Sequence, residues 1–165
     1  MSDPVTHKLS INDLLTRFFQ AFDDKNWSMM RGCLCDEVFT DYSSFRDEAA
    51  STISADRYVE QRRIALQALD MQHNFLNLRV EVDAAAETAT ARCNYIIHRF
   101  HPSFDGINDH YFHSYGHYLF AFTNLSGTWK ISRITQNLLR NHGNREIHGA
   151  TRTQNNIRHV GAHGS

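Results

Sequence analysis

Excess charge of either sign is missing from this chain: Lys plus Arg number 17 against 18 for Asp plus Glu, a formal net charge of −1. A protein built to hold nucleic acid needs a basic surplus for its phosphate contacts, so that class is excluded. No run of about 18 or more apolar residues occurs, which excludes a membrane-spanning helix and any membrane partner. Met1 to Leu9 contains no apolar stretch of the kind a secretory signal carries. Cysteine is sparse and odd in number (Cys33, Cys35 and Cys93), which fits reduced thiols in the cytoplasm rather than a disulfide frame. Glycine-rich phosphate loops, a Gly-x-Ser-x-Gly elbow, a His-Glu-x-x-His pattern and paired-cysteine metal spacings are all absent. What stands against these absences is histidine, 11 of them beside only 2 prolines.

With 165 residues, 41% of them apolar, the chain suffices for one domain with one core. The first helix is signalled by Ser10 as N-cap with Asp13 three residues on, and by Leu9 and Leu14 at the spacing of a hydrophobic staple. Ile11, Leu14, Leu15, Phe18, Phe19 and Phe22 then recur at helical spacing. Asp23 continues that apolar stripe, so its carboxylate either points into a cavity or caps the following turn. A short helix over Trp27–Leu34, holding Cys33 and Cys35 as packing residues, leads to a strand at Val38–Tyr42. Another helix starts near Ser54 and buries Tyr58, Val59, Ala65, Leu66 and Leu69.

Beyond Asp70 the period changes to two. Leu76, Leu78, Val80 and Val82 alternate with polar residues, giving a strand whose apolar face suits a subunit contact in a dimer or trimer. A loop at Asp83–Glu87, a strand at Thr88–Phe100 and a turn-rich connection from Pro102 to Asp109 follow. A strand at Tyr111–Thr123, a hairpin turn at Asn124–Gly127 and a last strand at Trp129–Leu138 complete the pattern. Helices segregated from a largely antiparallel sheet define an α+β domain. Its limits are an N-terminal extension at 1–9, the domain at 10–140, and a tail at 141–165 that is disordered or orders by lying on something.

In Thr88–Phe100, Asn94, Ile96, His98 and Phe100 share one face, while Tyr95, Ile97 and Arg99 share the other. A charged Arg99 is expected in solvent or at an interface, which turns His98 inward. There it is either a core imidazole satisfied by a backbone carbonyl or a general base held by a carboxylate. His73 falls on the polar face by strict alternation and reaches a pocket only if the strand starts later or carries a bulge. Tyr42 either donates a hydrogen bond to a substrate oxygen or is a core aromatic. His98, His101, His110, His113 and His117 cluster in sequence, yet one strand offers no convergent third ligand, so no metal is expected.

Taken in order, Phe22-Asp23-Asp24-Lys25-Asn26-Trp27, Asp41-Tyr42-Ser43-Ser44-Phe45, Gln72-His73, His98-Arg99 and Gly127-Thr128-Trp129-Lys130 resemble the SnoaL-like, nuclear-transport-factor-2-like superfamily. Within it they are most similar to scytalone dehydratases, over roughly Leu14 to Arg140. The resemblance implies a cone-shaped α+β barrel around a deep pocket and elimination of water without a cofactor. Carried over by residue, it implies that Asp23 orients His98 as acid and base, that His73 holds the substrate or a water, and that Tyr42 polarises the carbonyl. Phe22 stands where the family has a second tyrosine, and Phe120 and Phe122 where it has polar residues. With Phe18, Phe45 and Ile96 these make an apolar substrate wall, suited to a polyketide-type aromatic or cyclic ketone poorer in hydroxyls than scytalone. Isomerisation or cyclisation by the same dyad, and a non-catalytic binding module, are the competing expectations. The tail is expected to cover the pocket.

Overall fold

The computed structural model describes residues 3–83, 85, 87–102 and 110–148. The expected turn at 103–109, part of the loop at 83–87, and the tail from 149 onward lie outside the described residues.

Helix α1 runs Pro4–Asp23, longer than Ser10 as N-cap allows. Proline at the first helical position accounts for the earlier start, because its missing N–H has no partner there in any case. Ser10 instead sits within the helix and donates to the Thr6 carbonyl at 2.9 Å, and Leu9 is exposed rather than stapled. The end of α1 is a Schellman turn: Lys25 takes the left-handed region (φ 54°), Asn26 N–H bonds to Ala21 O, and Lys25 N–H to Phe22 O. Asn26 then caps α2 (Trp27–Gly32) by accepting from Met29 N–H at 3.0 Å.

β1 (Leu34–Asp41) and a short β2 (Ser51–Ser54), which the sequence pattern does not signal, pair antiparallel. Cys33 is thus the α2 cap and Cys35 a strand residue. Ser54 caps α3 (Ala55–Leu66), accepting from Arg57 N–H. β3 (Asp70–Asp83), β4 (Thr88–Phe100), β5 (Phe112–Leu125) and β6 (Thr128–Gly143) form successive antiparallel neighbours. One curved mixed sheet results, ordered β2-β1-β6-β5-β4-β3, with β1 and β6 parallel. A single 3-10 turn at Arg145–Ile147 ends the described chain.

The three helices cover the concave face of this sheet, and the core lies between them. Phe18 and Phe19 of α1 interlock with Tyr118 and Phe120 of β5. Two register features decide which side chains enter. On β4 the buried set is Ala89, Ala91, Cys93, Tyr95, Ile97 and Arg99. The expected parity is therefore reversed: His98 and Ile96 belong to the convex face. The reason is Arg99, which tolerates burial because its guanidinium lies over the rings of Phe45 and Phe112 (5.6 and 5.5 Å) and donates to Ser114 Oγ at 2.9 Å. On β3 a bulge between Leu76 and Arg79, with Asn77 at φ 54°, switches the inward face. Met71, His73 and Phe75 point inward before it; Leu78, Val80 and Val82 do so after it, packing on the core. Leu76 alone of the expected apolar face is left exposed, so those four residues make no common surface.

Candidate active site

Asp23 is the last residue of α1, and its carboxylate faces the start of β3. Its two oxygens accept the His73 backbone N–H at 3.0 and 2.9 Å, and Oδ1 lies 2.7 Å from His73 Nδ1. A carboxylate so placed selects the tautomer with the proton on Nδ1, leaving Nε2 with its lone pair. Phe22 stacks on the imidazole at 4.6 Å and 25°, which fixes the ring plane and shuts out water. The ring is 4% exposed. Burial lowers the His73 pKa, the bond to Asp23 opposes that, and the charge of Arg99 lowers it further, so the imidazole is neutral at neutral pH.

His73 looks into a cavity shared with Phe22, Tyr42, Phe45, Arg46, Arg62, Leu66, Arg99, Tyr118, Gln136 and His148. Its free volume is about 20 Å³, enough for about one water molecule. Tyr42 leaves the end of β1 in a loop held by three devices. Asp41 Oδ1 accepts from Ser43 N–H and Oγ, and Phe45 and Arg46 N–H bond back to the Tyr42 carbonyl. Ser44 Oγ bridges the Gln136 carbonyl and Leu138 N–H of β6. Tyr42 Oη thereby meets Tyr58 Oη from α3 at 2.7 Å, and across the cavity Gln136 Nε2 donates to Tyr118 Oη at 2.9 Å. Burial raises the pKa of Tyr58, Tyr95 and Tyr118, Tyr95 to about 12, so these phenols stay protonated.

Three guanidiniums border the same space. Arg62 is sandwiched between the rings of Tyr42 and Tyr58 at 4.5 and 4.4 Å, and Arg46 lies over Tyr42 at 4.9 Å. Arg62 and Arg99 are each 3% exposed. The buried Nε atoms of Arg46, Arg62 and Arg99, and Nη1 of Arg62, have no hydrogen-bond partner among the described residues. Burial pushes Arg46 and Arg99 down to about 10, which leaves both charged at neutral pH. Burial among these cations also drives the His148 pKa well below the usual imidazole value. His148 follows the 3-10 turn and closes the cavity on its C-terminal side, seated against Phe45 at 5.3 Å.

Of the residues expected from the sequence, the structure brings Asp23, His73, Tyr42, Phe22 and Phe45 to one place. It separates His98, which stands on the convex face with its ring edge-on to His113 at 4.6 Å. Phe18, Phe120 and Phe122 are buried in the core behind the cavity rather than on its wall, and Ile96 is on the convex face. The three arginines, Tyr118, Gln136 and His148 were missed. Arg62 falls four residues after Tyr58 and four before Leu66, and Arg99 continues the parity of Tyr95 and Ile97. Spacing pointed to both, and their charge argued the other way. Among the described residues no three His, Cys, Asp or Glu side chains are arranged to hold a metal ion, and no helix is long and apolar enough to cross a membrane.

Residues 3–135 match the family of the SnoaL-like domain. Among curated proteins none matches this chain. The Kfla4162 protein of Kribbella flavida shares the fold at TM-score 0.82 and 18% identity, covering 90% of this chain and 99% of its own. A protein of Novosphingobium aromaticivorans provisionally named a scytalone dehydratase follows at TM-score 0.72 and 12% identity, covering 86% of this chain and 89% of its own. A type 2 hexachlorocyclohexane dehydrochlorinase (LinA) reaches TM-score 0.70 at 14% identity, covering 87% of this chain and 93% of its own.

Proposed function

Because the chain belongs to the SnoaL-like domain family, whose fold it shares with proteins named for elimination reactions, we propose that it is a cofactor-independent lyase. It would remove water from a cyclic or aromatic ketone of polyketide type, with His73 rather than His98 as the base. One observation carries this reading: a neutral imidazole, 2.7 Å from a carboxylate, faces a cavity lined by Tyr42 and Tyr118.

In the proposed reaction, His73 Nε2 takes the proton from the carbon beside the carbonyl. The Nδ1 proton stays on the ring, and Asp23 stabilises the imidazolium that forms. The electron pair of the broken C–H bond moves to the carbonyl oxygen, and a hydroxyl of the Tyr42–Tyr58 pair donates to the resulting enolate. As the enolate collapses, the C–O bond to the adjacent hydroxyl breaks and His73 returns its proton to that oxygen, giving water. No external oxidant, reductant or metal enters the balance. A ring does not fit in about 20 Å³, so the cavity must widen for a substrate to enter.

The test is incubation with cyclic β-hydroxy ketones in deuterated buffer, followed by mass spectrometry. Loss of one water with turnover abolished in His73→Ala supports the reading. Deuterium uptake at unchanged composition makes the protein an isomerase of the same dyad. No exchange and no loss across the series, or full activity in His73→Ala, overturns it.

A further inference from the structure

Charge is out of balance inside this protein. Arg46, Arg62 and Arg99 all line one small cavity, and among the described residues no carboxylate stands on its wall. The nearest acids are engaged or remote: Asp23 is held by His73, and Glu48 reaches Arg46 only at 3.8 Å from a largely exposed position. Tyrosine and phenylalanine faces cover the flat sides of the guanidiniums, which favours cations, and neutral hydroxyls meet only part of the N–H edges: Tyr42 and Tyr58 at Arg62, and Ser114 Oγ at Arg99 Nη1. Those edges are where four buried nitrogens lack partners. Burying unpaired cations with unmet donors is costly, and a single water can meet donors without neutralising charge. The arrangement is the complement of an anion.

We infer that this cavity recognises a carboxylate, docked on the unpartnered nitrogens of Arg62 (Nε and Nη1) and Arg99 (Nε) with Arg46 beside them, and that the substrate is therefore a carboxylic acid. The identification of the bound molecule as substrate rests on the proton-transfer reading above; the anion site itself does not. A carboxylate is favoured over phosphate by shape. It is planar, it pairs edge-on with a guanidinium, and it lies flat between the rings of Phe22, Tyr42, Phe45 and Tyr118 once the cavity widens to admit it. The same pairing would bring an acid group close to His73, whose imidazole already feels the charge of Arg99.

The probes are benzoate, its neutral counterpart benzamide, and inorganic phosphate, titrated into the full chain by calorimetry and by thermal unfolding. Benzoate is expected to bind saturably while benzamide does not, a comparison that needs no variant. Arg62→Gln and Arg99→Gln are each expected to weaken benzoate about tenfold or more, judged by the ligand-induced shift from each variant's own unliganded midpoint. Benzoate binding no better than benzamide, or unchanged in both variants, overturns the site. Phosphate binding tighter than benzoate overturns the carboxylate assignment. Carboxylate binding in a protein that exchanges no carbon-bound proton would sink the lyase reading and leave this one standing. Proton exchange on neutral ketones with indifference to benzoate would do the reverse.

Discussion

His73 and Asp23 are the pair of side chains on which the proposed chemistry and its pH range rest. If the imidazole is the base, His73→Ala costs about 10²–10⁴ in the rate of carbon-proton exchange. Asp23→Asn is expected to cost nearly as much, because an amide group facing Nδ1 stabilises the wrong tautomer and takes the lone pair from Nε2. Both are read by deuterium incorporation with the native circular dichroism spectrum as control. His98→Ala, on the convex face, should alter exchange by no more than about twofold, the range of an ordinary surface substitution. Since burial and Arg99 lower the His73 pKa, the imidazole stays unprotonated to a lower pH than a free one. The acid limb of kcat/KM is expected to lie below that of a free imidazole, as a pH–rate profile will show. At this scale the sequence was half legible. Asp23 was marked by its place on the apolar stripe of α1, and Tyr42 by ending a strand. The partner of Asp23 is not legible because a charged residue in a strand points to solvent, whereas Arg99 is stacked on aromatic rings, bonds to Ser114 and borders a polar cavity.

Among the elements, β3 is the one on which the site depends. Its pattern of alternating Leu76, Leu78, Val80 and Val82 reads as one unbroken strand, yet Asn77 takes a left-handed backbone and shifts the register. A bulge leaves little trace in hydrophobic periodicity; the one clue is an asparagine, a residue that enters the left-handed region more readily than most. Asn77→Gly is expected to be tolerated, whereas Asn77→Val should cost about 1–2 kcal/mol by forcing a β-branched residue into that conformation. Deleting Asn77 removes the extra residue, so either His73 or the Leu78–Val82 face must turn outward. Urea unfolding measures the first two. For the deletion, loss of cooperative folding or loss of the His73 site is the expected result. The same reasoning explains α3, where helical spacing placed Tyr58 and Leu66 inside and the residue midway between them, Arg62, had to follow.

For the molecule as a whole, composition and element order were enough to indicate an α+β fold with a curved sheet, because long periodic segments constrain the layers strongly. Strand β2 and the parallel β1–β6 pairing were not legible, since both are set by contacts between distant parts of the chain. Global stability should carry the mark of two buried imidazoles. His73 and His148 both have folded pKa values below the unfolded value of about 6.5. The unfolded chain therefore takes up protons first as the pH falls. Their contribution is fully present above about pH 6.5 and is lost below it, at up to about 1.4 kcal/mol per pH unit for each group until the folded imidazole itself titrates. Urea midpoints at pH 7.5 and 5.5 check the slope, and His148→Gln should reduce it. An opposite slope would mean that the folded protein holds these protons.

Strand β1 has only the four-residue β2 on one side, and on the other it lies parallel to β6, joining Leu34 to Ile131 across most of the sequence. A chain leaving the ribosome can assemble its central hairpins early. Until β6 has emerged, however, β1 keeps an unsatisfied edge, and the loop bearing Tyr42 has no Gln136 to dock on. Competence for ligand thus arrives in one late event rather than by stages, and a stalled nascent chain presents a sticky edge to chaperones instead of a half-built site.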